Sequence, residues 1–242
     1  PAERALLARL ATELPRLAAL DLGVGGGRTA VHLASRAGSY IGVDYAPAMV
    51  EACRRRFAGS LPAEAFAVED ARRLPQGWTA RFGFVLFSYN GLDFLGHGDR
   101  LAALAEMARV AAPGAHVVFS SHNLGAIGAS GPPSPPGIAG KAAAALDRAL
   151  FRALNPGLKR KVKAPHCVLR DRGNRGRARN YYIRPEAQAR QLAEAGLELL
   201  DLYPAREDTP YPSLAAAAVS QEPWIYYLAR KPARRAFPGG SP

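Results

Sequence analysis

Residues 18–27, AALDLGVGGG, pass from an apolar run straight into a glycine-rich turn, and a helix-compatible stretch follows from Arg28. Such a junction belongs at the carboxyl end of a buried strand, where glycines permit a tight turn and let a ligand approach the backbone closely. The rhythm repeats downstream. Strands are predicted at 18–23, 40–44, 65–69, 82–87 and 115–121, with helices at 3–14, 28–37, 47–57 and 100–110. Pro47 opens its helix in the first turn, where a missing N–H does no harm. Pro113-Gly114 turns the chain into the fifth strand. This β-α-β-α alternation implies an α/β fold, a doubly wound and mostly parallel sheet covered by helices on both faces. It resumes with a helix at 185–195 closed by Gly196 and with strands at 197–202 and 224–230, seven strands in all.

Between these halves the rhythm breaks. Residues 123–182 contain the turn-rich SGPPSPPG (130–137), a helix around 141–154 and a basic stretch. A long segment of that kind inserted after a fifth strand reads as a lid or binding loop. The expected organisation is a core at 1–122, an inserted basic cap at 123–182, the rest of the core at 183–231 and a frayed tail at 232–242.

Charge sharpens this division. The chain carries a formal +12, and ten basic residues lie between Arg152 and Arg179 against one acid, Asp171. Any anion-attracting field therefore comes from one segment. Arginine outnumbers lysine 27 to 5, which also fits a solvated loop in an arginine-biased composition. No apolar run approaches a membrane span, and no signal-peptide pattern opens the chain. The first residue, Pro1, is no initiator, so the numbering is expected to begin inside a longer chain. Cys53 and Cys167 are the only cysteines, too few for a disulfide framework or a four-ligand zinc cluster. A soluble, cytoplasmic protein with no metal is expected.

The glycine turn discriminates between ligands. A dinucleotide fingerprint would place a small residue three positions after Gly25, but Arg28 stands there. Asp21 is the stronger signal, because a buried carboxylate beside the turn would repel a pyrophosphate and suit a cation.

DLGVGGGRT followed by YIGVDYAPAMVEACRRR resembles the first two motifs of class I S-adenosylmethionine-dependent methyltransferases. The resemblance implies a Rossmann-like fold with S-adenosyl-L-methionine as cofactor. It covers residues 18–123, with a weaker echo at 180–202 and 224–230. By it, Asp21, Gly23, Gly25 and Gly27 wrap the methionine part, and Asp44 accepts the two ribose hydroxyls. Two oxygens for two adjacent donors suit a carboxylate. Tyr45 and Met49 would pack on the adenine, Asp70 would take its exocyclic amine, and the Ala71 N–H would face a ring nitrogen. Phe87-Ser88-Tyr89-Asn90 looks like the substrate-side motif. Asp44 ahead of Pro47 also fits a helix cap.

Methyl transfer from a sulfonium needs alignment, exclusion of water and, for a protonated nucleophile, a base. Tyr89 and His122, just beyond the fourth and fifth strands, are the leading catalytic candidates, with His97 and His166 behind them. Asn90, Asp93, Asn123, Tyr181 and Tyr182 are the substrate-side candidates; for the two tyrosines the competing reading is plain packing against the last helix. The expected reaction methylates an oxygen or nitrogen of a small molecule, an anionic one if the basic cap serves a purpose. Two other readings stay open: RNA methylation with the cap tracking phosphates, and a non-catalytic protein that keeps the cofactor fold for binding.

Overall fold

The computed structural model describes residues 1–128, 138–170 and 178–233, the side chains of 138–144 excepted. The SGPPSPPG stretch, Arg172, Arg175, Arg177 and most of the tail lie outside the described residues.

The seven predicted strands are β1 (Ala18–Leu22), β2 (Ser39–Asp44), β3 (Phe66–Val68), β4 (Phe82–Phe87), β5 (Ala111–Asn123), β8 (Glu198–Pro204) and β9 (Trp224–Arg230). They form one sheet in the order β3-β2-β1-β4-β5-β9-β8. The first five run parallel, and β9 is antiparallel to both of its neighbours. The inserted segment adds two further strands, β6 (His166–Arg170) and β7 (Arg179–Ile183), which pair antiparallel with each other. β5 is long enough to serve both groups. Its middle lies between β4 and β9, and past the end of β4 its last residues pair with β7, His122 with Tyr182 and Asn123 with Ile183.

Strand periodicity divides the core. Leu20, Leu22, Val85 and Phe119 pack with Leu104 and Met107 of α4 (His97–Val110) and Leu192 of α7 (Pro185–Glu194). Ala19, Leu86, Val118 and Leu228 pack on the other face with Leu6 of α1 (Ala2–Arg9), Leu33 of α2 (Ala30–Leu33) and Val50 of α3 (Pro47–Phe57). At about 2 kcal/mol per buried large aliphatic side chain, these two faces hold the sheet. The insertion has its own small core, in which Phe151 of α5 (Ile138–Leu154) and Leu158 of α6 (Leu158–Lys161) meet Leu169 and Tyr182.

Two helices are shorter than their patterns suggest. The one expected at 3–14 ends at Arg9, and a single 3-10 turn, Leu14–Arg16, carries Pro15. The one expected at 28–37 is a single turn, and Thr29 gives its hydroxyl to Asp21 instead of capping it. Pro113-Gly114 falls inside β5, where a register shift against β4 and a positive φ of 85° at Gly114 absorb the turn.

Candidate active site

The glycine turn is tied down on every side. Val24 N–H donates to Val43 O at 2.9 Å, Gly25 N–H to Asp44 Oδ2 at 2.9 Å, and Arg56 reaches Gly26 O at 2.6 Å. Gly23 has φ 63°, and a Cβ there would lie 2.8 Å from the Phe87 ring. A Cβ on Gly27 would lie 2.5 Å from the Phe57 ring, so a side chain there would collide with the packed helix α3.

Asp21 does not line the cavity at the strand ends. It is 1% exposed, and its Oδ2 accepts hydrogen bonds from the Thr29 hydroxyl and, at 2.9 Å, the Tyr40 hydroxyl. Burial pushes its carboxyl up to about 7, against the lowering effect of those two hydroxyls. Asp21, expected beside a bound cation, braces the turn from beneath through Thr29 and through Tyr40 of β2.

A cavity of about 610 Å³ opens at the carboxyl ends of β1, β2, β3 and β4. Gly23, Asp44, Tyr45, Asp70, Ala71, Phe87 and Tyr89 all line it, from four separate strand ends. Gly25, Gly27 and Met49 do not, although Met49 is half exposed nearby on α3. Asp44 accepts the Ala46 N–H on Oδ1 at 2.9 Å as well as Gly25 on Oδ2, so it closes the turn into α3 while facing the cavity. The cavity also holds Glu69, Asp99 and a cation that the sequence reading missed, Arg72. Arg72 donates to both oxygens of Asp70 and, at 2.9 Å, to Asp99. This ion pair holds the Asp70 carboxyl below its usual range. Four carboxylates against one guanidinium leave the wall acidic.

Tyr89 and Asn90 adopt left-handed backbone with φ of 56° and 57°. Asparagine tolerates that region, but tyrosine does so at a cost of about 1–2 kcal/mol. The strain turns the Tyr89 ring outward, 59% exposed, edge-on to Trp224 at 5.1 Å and 5.1 Å from the Arg28 guanidinium. Gly91 follows because a Cβ there would stand 2.2 Å from Phe87. Beneath, Glu3 of α1 accepts from Arg28, from Ser88 at 2.6 Å and from Tyr226 at 3.1 Å.

His122 sits deeper than expected and lines neither this cavity nor the one beyond Tyr89. Its Nδ1 and its backbone N–H meet one oxygen of Asp93, at 2.7 and 2.6 Å. Its Nε2 is 3.5 Å from the Asn90 amide nitrogen, and its ring lies beside Tyr182 and Trp224. Asn90 Oδ1 is buried with no partner among the described residues.

Four of the substrate-side candidates, Asp93, Asn123, Tyr181 and Tyr182, are buried. Asp93 is 1% exposed; its second oxygen accepts from Arg100 and from Ser121 at 2.7 Å, so both of its oxygens are engaged within the protein. Asn123 spends its side chain on Ser220 O, Glu222 O and Gly125 N–H, which leaves it a structural cap. Tyr181 packs under Arg100 at 4.7 Å and joins His97 Nδ1 at 2.8 Å. Tyr182 is buried in the core of the insertion. His97 and His166 stack face to face at 4.3 Å, away from the cavity, and burial lowers His166.

Residues 19–114 match the family model described as a methyltransferase domain. No curated protein sequence matches the chain. Among solved structures, an S-adenosylmethionine-dependent methyltransferase from Mesorhizobium loti is 18% identical with a TM-score of 0.65, covering 95% of this chain and 98% of its own. The CcbJ methyltransferase from Streptomyces caelestis is 18% identical with a TM-score of 0.62, covering 96% and 89%. The 1,6-didemethyltoxoflavin-N1-methyltransferase from Burkholderia thailandensis, solved with 1,6-didemethyltoxoflavin and S-adenosylhomocysteine, is 17% identical with a TM-score of 0.57, covering 95% and 77%. At such identities the likeness establishes the fold.

Proposed function

We propose that this chain, whose residues 19–114 match a methyltransferase-domain model, transfers a methyl group from S-adenosylmethionine to an oxygen or nitrogen of a small molecule. The observation that carries this reading is the acidic cavity at the strand ends, with Asp44 and Asp70 on one wall and Tyr89 at its edge. Its residues fit the donor. Four carboxylates favour a cation, and the missing Cβ of Gly23 leaves backbone open to close approach.

Asp44 would hold vicinal hydroxyls, while Asp70, the Ala71 N–H and Tyr45 would hold a nucleobase. Asp70 must then share its oxygens with Arg72, or Arg72 must swing toward Asp99. When bound, S-adenosylmethionine supplies a methyl group already activated on a sulfonium. The chain's own residues are left to align and to dry the site. Tyr89, held by its strained backbone between Trp224 and Arg28, separates donor and acceptor sides. His122 is the candidate base: Asp93 fixes its Nδ1 as donor, so Nε2 is free to accept a proton once Asn90 or Trp224 yields. Among the described residues no helix is long and apolar enough to cross a membrane.

Calorimetry with S-adenosylhomocysteine and with a nicotinamide dinucleotide tests the reading. Heat with the first and none with the second is expected; the reverse overturns it.

A further inference from the structure

A second cavity, of about 530 Å³, lies across Tyr89 from the acidic one, and Tyr89 is a wall of both. Its other walls come from the far half of the sheet and from the N-terminal helices. Trp224 and Tyr226 start β9, Arg206 follows β8, Arg4 lies on α1, and His32 on α2. Tyr226 is buried and Trp224 half-buried, whereas Arg4 and Arg206 are exposed. Trp224 and Tyr226 therefore give the cavity a sheltered aromatic wall, while Arg4 and Arg206 bring exposed charge to it.

The charges are not equivalent. Arg28 is spent on Glu3, the one acid in the wall. Arg4 and Arg206 have no ion pair or side-chain hydrogen bond among the described residues. The two cavities thus carry opposite signs, with carboxylates around the first and unpaired guanidinium groups around the second. A guanidinium binds a carboxylate through a fork of matched geometry, and ring stacking supplies apolar contact. Of the basic insertion, the described Lys159 and Arg160 lie exposed on α6 and line neither cavity.

We propose that this second cavity is the acceptor site and that the acceptor is an aromatic acid, its ring against Trp224 and Tyr89 and its carboxylate at Arg4 and Arg206. The assignment rests on the reading that the acidic cavity holds the methyl donor. The reacting oxygen or nitrogen then faces Tyr89, the partition between the two compartments, and the anionic end points away from the donor.

The test is calorimetry on the full chain saturated with S-adenosylhomocysteine, using 2-naphthoate and its uncharged counterpart 2-naphthamide as probes. The carboxylate is expected to bind at least about tenfold tighter, in keeping with a charge-assisted hydrogen bond of about 1.5–3 kcal/mol. The double variant Arg4→Gln/Arg206→Gln should erase that preference without changing affinity for S-adenosylhomocysteine. Trp224→Ala should weaken both probes alike. Equal affinities, binding of neither probe, or a preference that survives in the double variant overturns the assignment. So does competition between naphthoate and S-adenosylhomocysteine, which would give the arginines to the donor's own carboxylate. Titrating the free chain separates the two readings: a carboxylate preference without S-adenosylhomocysteine binding removes the donor assignment and leaves an aromatic-acid site.

Discussion

Nδ1 of His122 stands 2.7 Å from Oδ2 of Asp93, and the backbone N–H of the same histidine donates to that oxygen at 2.6 Å. One carboxylate thus fixes both the position and the tautomer of the ring, because an ionised acid only accepts. His122→Ala is expected to lower kcat by about 10²-fold or more if the nucleophile carries a proton, with affinity for S-adenosylhomocysteine unchanged. Tyr89→Phe should lower turnover in the same way. Single-turnover rates beside calorimetry check both; intact rates in the two variants would remove the catalytic assignment.

Asp93 is held in turn by Arg100, which is fully buried among Asp93, Ser121, Gln188 and Gln191. Arg100→Leu leaves a buried carboxylate without its counter-charge and should cost about 3–5 kcal/mol of stability. Denaturant unfolding measures this. A loss below 1 kcal/mol would show that the network carries little of the fold.

Asp44→Ala removes an acceptor for the Gly25 and Ala46 N–H groups as well as the candidate hydroxyl acceptor. With about 1.5–3 kcal/mol per hydrogen bond to a charged group, affinity for S-adenosylhomocysteine should fall by roughly 10- to 100-fold or more. Unchanged affinity in calorimetry would take the ribose role away from Asp44.

Asp21 makes stability depend on pH. Its carboxyl rises from 3.8 to about 7 on burial, so the folded chain holds this proton more tightly than the unfolded chain. Stability from this group is therefore lost as pH rises from about 4 to about 7, by up to roughly 4 kcal/mol. Asp21→Asn should flatten that decline, and thermal unfolding between pH 4 and pH 8 reads it. Parallel profiles for the two proteins would show that Asp21 ionises freely in the fold.

Arg72 is the single cation in an acidic wall. Arg72→Gln should favour the sulfonium donor over its uncharged product by about 2–5-fold, the worth of one unit charge at roughly 10 Å in a wet cleft. Competition binding of the two compounds gives the ratio directly, and an unchanged ratio would mean that Asp70 and Asp99 already cancel its field.

Most of the fold was legible because period-2 apolar runs and strand-end glycines are local signals. All seven core strands follow from them, and Asp44, Asp70 and Phe87 meet because consecutive parallel strands bring their carboxyl ends to one edge. What was lost depended on side-chain direction. Asp93, Asn123, Tyr181 and Tyr182 lie near the right strand ends, but their side chains turn inward, a matter of tertiary packing that spacing does not encode. Arg100 did leave a trace. It shares the i, i+3, i+4, i+7 stripe of Ala103, Leu104 and Met107, so a charged residue on the core face of α4 was readable as a buried hub. Arg4 and Arg206 left none, since three distant segments must converge before their charges share a cavity.

The pairing of His122 with Tyr182 and Asn123 with Ile183 has a practical corollary. The excursion leaves the sheet and rejoins it at neighbouring rungs, so its two ends are clasped by the main body whatever lies between them. Ring-closure entropy grows only slowly with length, by about 0.6 kcal/mol per doubling. Grafts that trim, extend or exchange the intervening stretch while sparing those rungs should preserve the scaffold, which makes this branch the natural point for transplanting new recognition elements.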